Sequence, residues 1–360
     1  MLGIDGSFGE GGGQILRTSL ALAAVLQEKV RIFNIRAGRE VPGLRPQHFA
    51  AVKALAEICQ ASLHGLSAGS TELTFEPGEP ISGNFRFDVG TAGSISLVLQ
   101  TLMPLLPFLP EETHIEITGG TDVKWSPPID YLRLVTLPIL ARMGYAASLE
   151  VVRRGHYPRG GGIVRLLSQP GVSLTCLRGL GRGDISRILG ISHATNLPRQ
   201  VAERQAAAAE QVISEKSVPK PEMNIDSVEN ETQLGRGSGI VLAATGGSGA
   251  ILGGDCLGER GVPAERVGIL AAQKLLEEAG PQTFLDRHMG DIIVPYLAIA
   301  KGESEVSVSQ VTQHLMTNVR VVEALTRVSF NALGNLGEPA VLRVSGMGLE
   351  ARKAFVSPKE

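Results

Sequence analysis

Residues 113–143 read THIEITGGTDVKWSPPIDYLRLVTLPILARM, and this stretch sets the fold class. THIEIT (113–118) alternates apolar and polar side chains as a half-buried strand does, and the Gly119-Gly120 pair supplies a turn. From 128 to 143 the apolar positions recur at helical spacing behind a proline, a residue that suits a first helical turn because its missing N–H would have no partner there. The same order occurs upstream, where VRIFNIR (30–36) alternates as a strand and QHFAAVKALAEIC (47–59) has helical spacing. Downstream, alanine content and charge spacing predict a helix over 198–214, and the polar residues 216–239 read as a loop. IVLAATGGSGAILGG (240–254) reads as a hairpin, and 263–279 as an amphipathic helix. The composition changes after GLGRG (179–183), which marks an insertion. The expectation is therefore an α/β (α+β) protein with a large domain from 1–181 and 279–360 and a smaller α/β domain inserted at 182–278. The main body ends in AVLRVSG (340–346) and a charged tail expected to fray.

Bulk composition excludes several functional classes. The 360 residues, 43% of them hydrophobic, can bury an extensive core. With 34 basic and 36 acidic side chains there is no global field to draw the protein to polyanions, so any nucleic-acid contact must be local. Cys59, Cys176 and Cys256 are widely spaced and form no CxxC, which indicates neither a disulfide framework nor a zinc site and fits a reducing cytoplasm. They are expected to be inert core residues. MLGID at the start lacks a basic segment followed by an apolar one, and the longest apolar stretch (97–109) is broken by Gln100, Pro104 and Pro107, so neither secretion nor membrane spanning is expected.

Glycine, 44 residues in all, is clustered in short loops, and those loops carry the chemistry. GEGGGQILR (9–17) opens an apolar helix running to about Leu26, so backbone amides and a positive helix end converge where a phosphate could sit, flanked by Glu10 and Arg17. The spacing is neither GxGxxG nor GxxxxGK, which disfavours a dinucleotide fold and a Walker ATPase; a tight structural turn is the competing account. Arg36 and Arg39 leave a strand end, where guanidinium forks suit multidentate phosphate recognition, although a solvated basic loop would look the same. Gln47 and His48 follow. Further glycine loops stand at 90–94, opening a helix that carries Gln100, and at 159–162, breaking a strand pair.

Taken in order, GEGGGQILR, IRAGR with PGLRPQH, GTAGS, GGTD with SPPIDY, HYPRGGG, LGERG, HMGD and TQHLMTN make the chain resemble the RNA 3′-terminal phosphate cyclase family over essentially its whole length. The resemblance implies a large domain of three repeated α/β units, each like the C-terminal domain of translation initiation factor three, with a smaller α/β domain inserted late. It also implies an ATP-dependent reaction: an enzyme histidine takes AMP, AMP passes to an RNA 3′-terminal phosphate, and the neighbouring 2′-hydroxyl displaces it to leave a 2′,3′-cyclic phosphate. On this sequence the nucleophile is His314, and imidazole suits that role because much of it is unprotonated near neutral pH.

By the same resemblance, Glu10 is the carboxylate beside a divalent metal (Mg²⁺ or Mn²⁺), and Arg17, Arg36, Arg39 and His48 act on the phosphates. Gln47, Gln100, Pro127, Tyr131 and Asp291 match nucleotide-site positions, and His288 stands where some members place an aromatic. Two other functions share features of this pattern: a non-catalytic cyclase-like protein serving ribosome assembly, which would lack the histidine and several arginines, and an enolpyruvyl transferase, which would share the repeated fold but have no use for ATP. His64, His114, His156, His193 and His288 show no metal-ligand spacing such as HxxxH and are read as surface or satisfied residues, with no metal–histidine site. Trp125 reads as a packing residue first and a stacking platform for a terminal base second.

Overall fold

The chain order is β1 (Leu2–Asp5), α1 (Gly13–Leu26), β2 (Val30–Phe33), α2 (Pro46–Ile58), β3 (Ser62–His64) and β4 (Leu73–Glu76), then β5 (Asn84–Asp88), α3 (Ile95–Leu102) and β6 (Thr113–Gly119), in a computed structural model that describes residues 1–170, 173–229, 235–331 and 334–350. Next come α4 (Ile129–Tyr131), a π-helical turn (Leu132–Thr136), α5 (Leu137–Ala141), β7 (Ala147–Arg153), β8 (Gly162–Ser168) and β9 (Arg178–Gly179). The remainder is β10 (Ile185–Thr195), α6 (Gln200–Ser214), β11 (Glu222–Val228), β12 (Gly237–Gly246), β13 (Ile251–Leu257), α7 (Ala264–Ala279), α8 (Arg287–Ile299), β14 (Lys301–Val308), α9 (Gln313–Thr326), β15 (Phe330–Asn331) and β16 (Ala340–Met347). The protein is a mixed α/β structure, and its strands form four four-stranded mixed sheets among the described residues. The charged tail lies outside them.

Three sheets share one pairing order. In β1-β2-β4-β3, β5-β6-β8-β7 and β9-β14-β16-β15 the first pair is parallel and the next two are antiparallel. A parallel pair needs a crossover, and α1 and α3 supply it in the first two sheets. In the third, everything from β10 to α8 lies between β9 and β14. The fourth sheet, β11-β10-β12-β13, is made entirely within that stretch. Along β12, Ile240, Leu242 and Ala244 join α6 and α7 in a core of their own, while Val241 and Ala243 point into the main core. Period-two alternation thus makes one strand apolar on both faces and seats the fourth sheet on the rest of the molecule.

Four sequence expectations change. Residues 216–239 are not simply a loop: EMNIDSV forms β11, in parallel register with β10 from Leu189↔Glu222 to Thr195↔Val228. Its polar, half-exposed side chains hid a strand held by backbone pairing. Gly119-Gly120 is not a turn, because Gly119 pairs with Gly162 in β6–β8 and Gly120 bridges Ser94. The helix predicted over 128–143 is broken by the π turn at Leu132–Thr136, immediately ahead of Pro138, whose ring nitrogen cannot donate to the regular ladder. Of the cysteines only Cys59 is a core residue, its thiol pushed up to about 12 by burial; Cys176 and Cys256 are half-buried, and all three are free.

Candidate active site

The glycine loop before α1 is built around close backbone approach. Gly11 lies at φ +56, and a Cβ there would sit 2.7 Å from the Gly38 nitrogen, so glycine is needed both for the left-handed backbone and for contact with the 36–39 loop. That contact brings Arg39 to Glu10, with Nη2 to Oε2 at 3.0 Å. The other carboxylate oxygen, Oε1, forms an ion pair with Nδ1 of His314 in the first turn of α9. Residues 304 positions apart in sequence therefore share one carboxylate. Burial works against ionisation of Glu10, but the contacts with His314, Arg39 and Arg17 outweigh it and hold the group below the usual carboxylate range. Conversely, the Glu10 contact raises the His314 imidazole above its ordinary value, against the opposing effect of burial.

Arg17 and His48 form the floor. Burial pushes the Arg17 guanidinium down to about 10, with Glu10 opposing the shift. His48 sits in the first turn of α2, buried, and a Cβ on Gly13 would collide with its Nε2. Its Nδ1 accepts the Arg45 backbone N–H at 3.2 Å, which assigns the ring proton to Nε2. Burial, reinforced by Arg17, Arg36 and Arg45, drives His48 down to about 3, so it is a neutral donor at physiological pH. Gln47 accepts the Ser94 backbone N–H at 3.3 Å and joins the N-terminus of α3 to that of α2. The Arg36 guanidinium is held by its own loop, with Nη1 donating to the carbonyls of Val41 (2.7 Å) and Gly43 (3.0 Å). The N-termini of α1, α2, α3 and α9 thus gather around Glu10, Arg17 and His48, and their positive helix ends make the basin attractive to anions.

The third wall is α8. Asp291 is buried, and burial raises its carboxyl to about 6, with the Thr312 hydroxyl donating to it and opposing the shift. Thr312 caps α9 at the same time, accepting the Leu315 N–H at 2.9 Å, so one hydroxyl positions both Asp291 and the turn that carries His314. Asn318 clamps the three helices: its Nδ2 donates to the Asp291 carbonyl (2.7 Å) and its Oδ1 accepts from Thr18 (2.7 Å). Gln100 and Arg17 line a cavity of about 40 Å³ beneath this clamp.

Tyr131 and His288 form a separate group. Tyr131 is fully buried, donates its hydroxyl to Asp286 at 2.6 Å, and meets the exposed His288 ring edge-on at 6.2 Å. Among the residues expected to line a nucleotide, Tyr131 therefore supports His288 from behind. Trp125 is 95% exposed, which overturns the packing expectation: its φ of +62 turns it away from the body, two residues before Pro127. Sequence reasoning held Thr312 and Asn318 within TQHLMTN without giving them a task and missed Thr18, because hydroxyl and amide contacts become visible only once helices are packed. It also missed that Asp122, His156 and His193 converge in the interior; their spacing in sequence shows no ligand pattern.

Comparison with protein-family profiles matches residues 8–332 to RNA 3′-terminal phosphate cyclase. Similar proteins include the RNA 3′-terminal phosphate cyclases of Ignicoccus hospitalis, 51% identical across 96% of this chain and 99% of that one, and of Methanopyrus kandleri, 49% identical across 97% and 99%. That of Pyrobaculum aerophilum is 48% identical across 96% and 98%. Among solved structures, the enolpyruvyl transferase NikO from Streptomyces tendae aligns at a TM-score of 0.35 with 12% identity, covering 98% of this chain and 50% of that one. So low a score bears on neither fold nor function.

Proposed function

The chain belongs to the RNA 3′-terminal phosphate cyclase family, and on that footing we propose that it uses ATP to convert an RNA 3′-terminal phosphate into a 2′,3′-cyclic phosphodiester, with His314 as the transiently adenylylated group. The observation that supports this assignment is the pairing of Glu10 with His314 Nδ1. A carboxylate on Nδ1 keeps the proton there and leaves the lone pair on Nε2, which takes no hydrogen bond among the described residues. Nε2 attacks the α-phosphorus, a P–N bond forms, and pyrophosphate departs. The imidazole then carries positive charge, which Glu10 offsets. An oxygen of the RNA 3′-phosphate attacks the same phosphorus and breaks the P–N bond. The ribose 2′-hydroxyl, losing its proton, finally attacks the RNA phosphorus and expels AMP.

Arg17, Arg39 and neutral His48, with the four helix N-termini, offset the charge on pyrophosphate and on the RNA phosphate. Arg36 shapes the loop that carries Arg39. Asp291 stands in the α8 wall, Gln100 lines the small cavity beside Arg17, Gln47 holds the α2–α3 junction, and His288 with Pro127 faces the adenine. A divalent cation, Mg²⁺ or Mn²⁺, would be held by Glu10. A single anionic carboxylate suits such an ion, which would neutralise polyphosphate charge when bound. The retained histidine and arginines disfavour a purely structural paralogue. We also read the three like-ordered sheets as repeats of one unit and residues 182–278 as a module inserted between 1–181 and 279–360, supported by its separate core. No described helix is long and apolar enough to cross a membrane.

Incubation with α-labelled ATP and a divalent metal is expected to leave label on the protein in an acid-labile, alkali-stable bond, and His314→Ala is expected to abolish it. Undiminished labelling of that variant would overturn the assignment.

A further inference from the structure

The junction between the fourth sheet and the main body contains a buried group that the cyclase reaction does not use. Asp122 follows β6, His156 follows β7, and His193 lies on β10. One ligand atom from each lies within 4.8 Å of the others. His193 is 0% exposed; its Nε2 forms an ion pair with Asp122 Oδ1 at 3.4 Å without a well-formed hydrogen bond, and its Nδ1 has no hydrogen-bond partner among the described residues. A buried imidazole and carboxylate left without well-formed hydrogen bonds are costly, and a folded protein normally avoids them.

The surroundings have the order of a metal site. Asp122 Oδ2 is held by the Thr121 hydroxyl (2.6 Å) and Arg154 Nη1 (3.3 Å), which orients the carboxylate and leaves Oδ1 for a ligand. His156 contacts Thr195 Oγ1 at 3.3 Å and stacks on His193 at 5.4 Å. Opposite the rings stand Gly237 and Gly239: a Cβ on the first would collide with His156, and one on the second would lie 2.8 Å from His193 Nε2. Around the rings stand the carboxylates of Asp122, Asp130 and Asp226, paired with the guanidiniums of Arg154 and Arg133.

We propose that Asp122, His156 and His193 bind one divalent transition-metal ion of the zinc class, which ties the fourth sheet to the main body. Two imidazoles and one carboxylate are a zinc-type donor set. Three atoms no more than 4.8 Å apart have a point within about 2.8 Å of all three, and zinc bonds of about 2.0–2.2 Å are reached by drawing each inward by under an ångström. The site is independent of the Glu10–His314 chemistry.

The test uses full-length protein stripped with chelator and dialysed against Zn²⁺ alone. Wild type and His314→Ala are each expected to retain one more tightly held zinc than His156→Gln/His193→Gln, and zinc is expected to raise the unfolding midpoint of the first two by several degrees. Equal zinc retention by all three, or none in wild type, overturns the site. If the double variant fails to fold, Co²⁺ added to wild type decides. Visible d–d bands of a low-symmetry nitrogen–oxygen site support the proposal, and a thiolate-to-cobalt band or an octahedral spectrum overturns it.

Discussion

Glu10 touches His314, Arg39 and, through its field, Arg17, so a single carboxylate governs both the charge and the tautomer of the proposed nucleophile. Because this contact raises the His314 pKa, deprotonation of the ring, and with it the rate of adenylylation, increases as pH rises through that raised value. Glu10→Gln removes the raising contact. The acid limb of the labelling rate is expected to move to lower pH, while the plateau falls by about 10–100-fold as the orienting carboxylate is lost. An unmoved acid limb in single-turnover labelling would show that Glu10 does not set the histidine's proton affinity. At the other end of the site, Trp125 is a large ring in water beside Pro127. If it stacks the RNA end, Trp125→Ala is expected to weaken binding of a 3′-phosphorylated oligonucleotide by roughly 5–100-fold, equivalent to about 1–3 kcal/mol, with ATP labelling unchanged. Fluorescence anisotropy with equal affinity for both proteins would exclude that role.

Helices place the chemistry by their ends. Gly12, Arg45, Ser94 and Thr312 start α1, α2, α3 and α9, and the first turns they open carry or border Arg17, His48, Gln47 and His314. Thr312 has two tasks, capping α9 and donating to Asp291. Thr312→Val is expected to lower stability by about 1–2 kcal/mol from the lost cap and hydrogen bond, measured as a shift in urea midpoint at constant slope. It is also expected to slow labelling, because the turn bearing His314 loses its anchor; a normal rate in the destabilised protein would separate the two tasks.

The whole molecule depends on polar as well as apolar contacts across the joint between its two cores. Arg154 is buried and bonds Asp130 (2.6 Å), Asp226 (2.7 Å) and Asp122 (3.3 Å), joining the end of β7 to α4, β11 and the loop after β6. Removing one partner of a buried ionic network leaves the others uncompensated, so Arg154→Leu is expected to cost about 3–5 kcal/mol. Adding Asp130→Asn in the same chain is expected to recover part of the loss. A denaturation midpoint unchanged in Arg154→Leu would show that the joint rests on the Val241 and Ala243 face of β12 alone.

The residue pattern was enough to locate most strands and helices, because hydrophobic periodicity is local: THIEIT, GQILRTSLALAAVL and the hairpin at 240–254 all stand close to where they read. It also pointed, through the order of the motifs that carry them, to Glu10, Arg17, Arg39, His48 and His314, which the tertiary structure brings together. It could not reveal β11, whose strand character comes from pairing with β10, nor the π turn, nor the exposure of Trp125. Nor could it show that Glu10 would sit on His314, that Asn318 would bind Thr18 and Asp291, or that Asp122, His156 and His193 would meet. Such contacts join residues tens to hundreds of positions apart. They exist only because packed helices and sheets bring distant side chains within bonding range, a distance that no local pattern encodes.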